Sequence, residues 1–118
     1  MTAAARNFHA GLAAETSALR HYLDAGYTLM AQRFRGMQGE IDLILSKGAS
    51  VIFVEVKKSR SFEAAITRLG PAQIGRIVDT ASEFLGTQPL GQLTDCRFDL
   101  ALVNATGEVT IMENVLAP

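Results

Sequence analysis

Apolar residues recur along this chain with two periods, and the period changes from segment to segment. Spacings of three and four residues predict a helix over residues 10–25, ended by Gly26, and another over residues 72–86, ended by Gly86. Alternation of apolar and polar residues predicts five strands, over residues 27–34, 40–46, 51–57, 97–104 and 108–115. The predicted order is αβββαββ, which indicates an α/β or α+β sheet flanked by helices.

Each predicted helix has one apolar face that can pack on the sheet. The first helix turns inward Leu12, Leu19, Tyr22 and Leu23. The second turns inward Ile74, Ile77, Val78, Ala81 and Phe84. No clear period runs through Lys58–Pro71, which contains Gly70-Pro71, so a loop is predicted there, and Thr87–Asp95 is predicted to be a polar connection.

Composition narrows the class of protein. The length of 118 residues predicts one domain, residues 1–118, and 48% hydrophobic with 19% charged residues is typical of a globular chain rather than a disordered one. No apolar run approaches the roughly 20 residues that span a bilayer. Residues 1–6 lack the apolar core of a secretory signal, so we expect no membrane and a cytoplasmic location. The single cysteine, Cys96, excludes an internal disulfide.

The net charge of −1 is unusual for a nucleic-acid-binding protein, but the charges are unevenly distributed. Residues 33–76 hold eight Lys and Arg against four Asp and Glu, so this stretch is basic and the rest is acidic. Any contact with phosphate groups is therefore expected in the middle of the chain.

The most informative segment is a predicted hairpin over residues 39–57, with the sequence GEIDLIL, a short turn, and VIFVEVK. A four-residue turn, Lys47 to Ser50, places Ser46 opposite Val51, and the same register places Asp42 opposite Glu55. Cross-strand partners have Cβ atoms about 5 Å apart. Alternation predicts a polar face with Glu40, Asp42, Glu55 and Lys57. It also predicts a continuous apolar face with Ile41, Leu43, Leu45, Ile52, Val54 and Val56.

Two facing carboxylates repel each other unless they share a proton or a cation. Hard oxygen ligands at this separation suit Mg²⁺ or Mn²⁺, and a metal there can activate water for phosphodiester cleavage. Lys57, on the same face, could hold the attacking water or offset the phosphorane charge. The alternative is a solvated hairpin in which Glu40 pairs with Lys57.

Glu15 lies among apolar residues on one face of the first predicted helix, where an unpaired carboxylate is costly. It becomes a further metal ligand if the helix packs over the face of Asp42 and Glu55. The alternative is a glutamate at the helix edge whose carboxylate reaches solvent.

Several short motifs resemble one known family: AE at residues 14–15, YL at 22–23, GY at 26–27, GEIDLI at 39–44, VEVK at 54–57 and RFDL at 97–100. They look like the YraN-type endonuclease-like family of the PD-(D/E)xK nuclease superfamily, similar in fold to archaeal Holliday junction resolvases. The resemblance spans residues 11–103, and the spaced GEID and VEVK motifs are specific. It implies a restriction-endonuclease-like α/β core whose central mixed five-stranded sheet is flanked by helices.

The resemblance also implies a role for individual residues. Asp42 and Glu55 match the metal ligands and Lys57 the catalytic lysine. Glu15 matches the helix acid that joins the site, and Gln73 the glutamine at a helix start that lines it. Gln73 is equally explained as a plain residue of the first helical turn.

Five basic residues are candidates for contacts with nucleic-acid phosphates: Arg33, Arg35, Lys58, Arg60 and Arg68. Most surface arginines only solubilise a protein, so each assignment has a plain alternative. Family members often carry basic residues around the glutamine, where this chain has Ala72, Ile74 and Gly75, so backbone contacts are expected to be fewer. Arg97 and Asp99 are predicted to be structural, paired with each other or with a neighbour.

The sequence thus predicts a Mg²⁺- or Mn²⁺-dependent endonuclease for DNA, branched or single-stranded, in repair or recombination, and by analogy a homodimer. A catalytically silent nucleic-acid-binding accessory module is the main alternative. A retaining glycosidase also uses carboxylates about 5 Å apart, but the absence of Trp, the small size and the adjoining lysine argue against it. A purely structural dimer subunit leaves the paired acids unexplained. No glycine-rich loop follows a predicted strand, which argues against a mononucleotide-binding enzyme.

Overall fold

The computed structural model describes the backbone of residues 3–116 and the side chains of residues 11–116. The elements follow the predicted order: helix α1 (Ala3–Asp24), strands β1 (Thr28–Arg35), β2 (Glu40–Lys47) and β3 (Ser50–Lys58), helix α2 (Phe62–Leu85), and strands β4 (Cys96–Val103) and β5 (Val109–Met112). A 3-10 turn, Gly91–Leu93, precedes β4. The strands form one sheet in the order β1-β2-β3-β4-β5, with β3 and β4 parallel and the other neighbours antiparallel. The predicted α/β class and mixed five-stranded sheet are confirmed.

The sheet is covered on both faces, one helix to each. Side chains of α1 and alternate residues of the central strands form one apolar cluster, which includes Ala18, Tyr22, Leu45 and Val54. The other cluster joins α2 to the opposite face and includes Ile44, Phe53, Leu69, Ile77 and Phe84. Burial on both faces explains why residues 51–56 of β3 are all buried, as is usual for a central strand with a parallel neighbour.

The predicted loop over Lys58–Pro71 is wrong, because helix α2 begins within it at Phe62. The Ser61 hydroxyl oxygen accepts a hydrogen bond from the Ala64 amide at 3.2 Å and caps the helix. An apolar stripe with helical spacing then follows: Phe62, Ala65, Ile66 and Leu69. Gly70, at φ 71° and ψ 157°, interrupts the helix before Pro71 restarts it. The turn residues were correctly identified, but they kink a helix rather than mark a loop.

The boundaries of the other elements differ less from the prediction. α1 starts at Ala3 rather than at residue 10, and Leu23 is 45% exposed rather than inward. β5 is shorter than predicted and ends at Met112. Among the described residues, no helix is long and apolar enough to cross a bilayer.

A buried acid on β4 ties several elements together. The Asp99 carboxylate accepts hydrogen bonds from the Tyr22 hydroxyl at 2.8 Å, from the Arg97 guanidinium at 3.0 Å and from the Asn114 amide at 2.9 Å. Asp99 is fully buried, so these donors replace the water it loses. The predicted Arg97–Asp99 pair is confirmed, and it joins α1 and the segment after β5 to the sheet.

Candidate active site

The hairpin of β2 and β3 has the predicted register. Ser46 pairs with Val51 as predicted. The predicted four-residue turn is wrong, because Lys47 also pairs with Ser50 and the turn contains only Gly48, at φ 61°, and Ala49. The ladder ends at Leu43–Val54, one position before the predicted pairing of the two acids. The Val56 amide donates instead to the Asp42 carboxylate at 2.8 Å. A side chain thus takes the place of a strand carbonyl, which fixes the carboxylate at the point where the ladder ends.

The apolar face of the hairpin is not continuous as predicted. Ile41 packs with Ile44 on the α2 side, whereas Leu43 packs on the α1 side. β2 therefore loses its strict alternation between Ile41 and Leu43, at Asp42. The predicted placement of Ile41 with Leu43 is wrong, because a local irregularity in a strand reverses the side-chain directions beyond it.

Glu55 and Lys57 lie on β3 beside Asp42. Glu55 is only 6% exposed, and its Oε1 lies 3.5 Å from the Lys57 ammonium nitrogen. The Val56 amide, next to Glu55 on β3, donates to the Asp42 carboxylate at 2.8 Å, so Asp42 lies beside Glu55. The structure therefore brings together the three residues at the centre of the predicted site, and Lys57 pairs with Glu55 rather than with Glu40.

Burial perturbs both acids. It raises the pKa of Glu55 to about 8, with the Asp42 charge adding to the effect and the Lys57 charge opposing it. Burial also raises the pKa of Asp42, although the hydrogen bond from the Val56 amide opposes that shift. Burial and the Asp42 charge together therefore favour the protonated form of Glu55.

Glu15 approaches this pair but is held by an arginine. Its carboxylate accepts two hydrogen bonds from the Arg33 guanidinium, from Nε and from one terminal nitrogen, both at 3.0 Å. The Glu15 charge still contributes to the raised pKa of Asp42. The sequence prediction placed both residues at the site but did not anticipate their pairing.

The acids of this cluster are the candidate ligands of the metal that the sequence predicts. Within the described residues, no three His, Cys, Asp or Glu side chains are grouped closely enough to hold an ion. Asp42 and Glu55 nevertheless fit a divalent cation chemically, because a cation can replace the proton that two adjacent carboxyl groups share. Glu15 would complete a set of three acids only if it left Arg33.

The remaining predicted site residues are spread along the sheet edge and α2. Arg35 pairs with Glu40 at 3.1 Å and is well exposed. Gln73 is half-buried on α2, three residues beyond Gly70, and its side chain makes no hydrogen bond to another described residue. Within the described part of the chain, neither side chain hydrogen-bonds or forms an ion pair with Asp42 or Glu55, so their predicted roles stay predictions.

A cationic cavity adjoins the carboxyl ends of the parallel strands β3 and β4, where Lys58 pairs with Val103. Its volume is about 500 Å³, and its lining residues include three basic ones and no acid: Lys58, Ser59, Arg60, Ser61, Ala64, Arg68 and Ala105. Arg68 donates to the Lys58 carbonyl oxygen at 2.8 Å, which holds the guanidinium at this edge. Three of the five predicted phosphate contacts therefore share one cavity, which begins one residue beyond Lys57.

The fold and the cluster define an α/β protein with a buried glutamate beside a half-buried aspartate, and a lysine near the end of its central strand. The chain belongs to the uncharacterised protein family UPF0102, whose family model matches residues 14–103. It is 56% identical to a UPF0102 protein of Roseobacter denitrificans over 110 residues, 93% of this chain and 85% of the relative. Relatives in Cereibacter sphaeroides and Ruegeria pomeroyi are each 53% identical, covering 94% and 92% of this chain and 95% and 89% of their own lengths.

Proposed function

We propose that this protein is a metal-dependent endonuclease of the PD-(D/E)xK kind, which hydrolyses phosphodiester bonds of branched or single-stranded DNA during repair or recombination in the cytoplasm. The observation that carries the proposal is the placement of Asp42 beside the Glu55–Lys57 pair: the Val56 amide, next to Glu55, donates to the Asp42 carboxylate at 2.8 Å, and the Lys57 ammonium lies 3.5 Å from Glu55. A buried glutamate beside a half-buried aspartate destabilises a fold, so the presence of both acids needs a function. A strained or destabilised cluster of this kind is typical of an active site.

Asp42 and Glu55 would hold one Mg²⁺ or Mn²⁺ ion, which when bound supplies an activated water and a polarised phosphate. The Val56 amide keeps the Asp42 carboxylate in place through its 2.8 Å hydrogen bond. Lys57 is partly exposed, so its ammonium group can reach both Glu55 and a molecule outside. There it orients a water and offsets the negative charge that grows on the phosphate.

The cationic cavity supports a nucleic acid as the substrate. Lys58, Arg60 and Arg68 line it without an opposing acid, and its position continues the line of β3 beyond Lys57. A phosphate next to the scissile one would meet these side chains, which position a backbone without reading its sequence. A homodimer would supply two sites for a branched substrate, by analogy with resolvases.

The test is cleavage of labelled four-way junctions, single strands and duplexes by the wild-type protein with Mg²⁺, with Mn²⁺ and with chelator. We expect cleavage that requires the metal and is lost in Asp42→Asn. Glu40→Gln is the matched control, because it removes one negative charge from the same strand at an exposed ion pair. It should retain cleavage.

Two results would contradict the proposal in different ways. Cleavage that survives Asp42→Asn or the chelator would place the chemistry elsewhere. Tight DNA binding without cleavage, equal in wild type and Asp42→Asn, would favour the catalytically silent accessory module. That second function is favoured by one observation, the Glu15–Arg33 pair, which leaves two rather than three acids at the site.

A further inference from the structure

We infer that Arg33 is a positioning residue for the metal site, which holds Glu15 in an ion pair and yields it as a third ligand when a divalent cation binds beside Asp42 and Glu55. The inference rests on the proposed function and goes beyond it, because it makes cation affinity depend on an arginine that contacts neither acid of the central pair.

The first observation is the geometry of the ion pair. Both Glu15 carboxylate oxygens are engaged by the Arg33 guanidinium at 3.0 Å, in the two-point arrangement that makes arginine pairs specific. The Glu15 side chain is 15% exposed and that of Arg33 38%. Glu15 is thus the more buried member of the pair, and Arg33 the more exposed member.

The second observation is the backbone of Arg33. Its φ of 51° lies in the left-handed region, which is uncommon for a residue other than glycine, asparagine or aspartate and strained within a strand. Its neighbours Gln32 and Phe34 pair with Leu43 and Ile41, so Arg33 stands opposite Asp42, where β2 loses its alternation. The two irregularities occur at one place and turn Arg33 toward α1 and Glu15.

The third observation is the balance of charge. Arg33 acts electrostatically on Glu15, Glu40 and Asp42. A divalent cation at Asp42 and Glu55 would repel the guanidinium and attract Glu15, so Arg33 and the cation compete for the same acid. Loss of the arginine charge should therefore strengthen cation binding, although arginine removal ordinarily weakens a protein's contacts.

The test measures Mn²⁺ binding by calorimetry, without DNA, in the wild type and in Arg33→Asn, whose asparagine tolerates the left-handed backbone. An exposed ion pair contributes at most about 1 kcal/mol, so we expect about fivefold tighter binding. Arg35→Asn is the matched control, since it removes an equal charge from the same strand, and it should change the affinity less. Arg33→Lys keeps the charge without the two-point pairing and should lie between.

The Glu15→Gln variant distinguishes two causes of tighter Mn²⁺ binding: the release of Glu15 by Arg33, and the general effect of removing a positive charge. We expect Glu15→Gln to weaken Mn²⁺ binding, and we expect Arg33→Asn to give no tightening beyond that of Arg35→Asn in the Glu15→Gln background. Unchanged affinity in Arg33→Asn, or equal tightening with and without Glu15, would overturn the role of Arg33 and leave the nuclease proposal standing. Mn²⁺ binding that is absent, or indifferent to Asp42→Asn, would overturn both.

Discussion

Replacement of Glu55 by glutamine is expected to abolish activity and to make the folded protein more stable at alkaline pH. Glutamine has nearly the size of glutamate and carries no charge. The buried carboxylate is the group whose ionisation the folded state disfavours most clearly, because burial and the Asp42 charge both raise its pKa. The free energies of unfolding of Glu55→Gln and wild type should therefore be similar at low pH and diverge as the pH rises.

The direction in which stability changes with pH follows from the direction of the pKa shift of Glu55. The pKa of Glu55 rises from its ordinary 4.5 to about 8 in the folded protein, so the folded state binds this proton more tightly than the unfolded state. Its contribution to stability is complete below pH 4.5 and is lost as the pH rises through 8. At pH 7 the difference corresponds to at most about 3 kcal/mol, and at pH 9 to at most about 5 kcal/mol.

The assay is urea unfolding of both proteins from pH 4.5 to pH 9, in chelator so that no bound cation contributes. The free energies of unfolding should agree within about 1 kcal/mol at pH 4.5, and Glu55→Gln should exceed wild type by about 1 to 3 kcal/mol at pH 8, allowing for relaxation around the site. Glu63→Gln, an exposed acid in the first turn of α2, is the control and should show no such divergence.

The ion pair between Glu55 and Lys57 opposes the expected stabilisation, and it determines which result would refute the reasoning. Glu55 pairs with Lys57, and removal of one member of a buried ion pair usually destabilises a protein. Lys57 is 24% exposed, so its ammonium group can regain water when Glu55 is replaced. A Glu55→Gln protein less stable than wild type at pH 8 would mean that the ion pair outweighs burial, and the destabilised carboxyl pair could no longer be used as evidence for a site.

Three further perturbations test other parts of the structure. Gly70→Ala should destabilise the protein by about 1–3 kcal/mol, since φ 71° and ψ 157° suit glycine alone. Gly75→Ala on the same helix should instead stabilise it by about 0.5–1 kcal/mol. Free energies of unfolding in urea that change in the same direction for both variants would contradict this. Asp99→Asn should cost about 3–5 kcal/mol and Glu113→Gln, at the exposed end of the same arginine, under about 1 kcal/mol; equal losses would show that burial is irrelevant there. Lys58→Ala should lower the salt dependence of DNA binding, measured by anisotropy, by about 0.7–0.9 in log–log slope, and an unchanged slope would remove Lys58 from the interface.

The hairpin shows how much of the site was predictable. Turn chemistry around Gly48 and alternation along both strands fix the pairing of Ser46 with Val51, and the order of elements follows from the two apolar periods. These signals are local, so a single sequence contains them. The neighbourhood of Asp42, Glu55 and Lys57 then follows from the register without knowledge of any distant contact.

The first half of α2 was predictable in principle but was missed. Its stripe of Phe62, Ala65, Ile66 and Leu69 has helical spacing, and Ser61 is a good cap. Gly70 and Pro71 masked this signal, because a glycine–proline pair more often belongs to a loop than to a kink. The error matters for function, since it concealed that the basic residues around Arg60 are held at the start of a helix rather than on a free loop.

The conformation of Arg33 could not be foreseen from local pattern. A strand prediction assumes strict alternation, and arginine carries no preference for the left-handed region. The direction of its side chain is tied to a contact with Glu15, eighteen residues earlier on α1. The strand irregularity at Arg33 and Asp42 is therefore a tertiary feature, set where the helix meets the sheet.

That irregularity also explains why the regular pairing of β2 with β3 ends directly before Asp42 and Glu55. Had the ladder continued beyond Leu43–Val54, the Val56 amide would have been available to a strand carbonyl and Asp42 would have pointed along one face. Because the ladder stops, the amide binds the Asp42 side chain, and the carboxylate is held between the two strands beside Glu55. The backbone that loses regular pairing is the same backbone that places the acids, so mutations that restore alternation at Asp42 should stabilise the sheet and remove the site together.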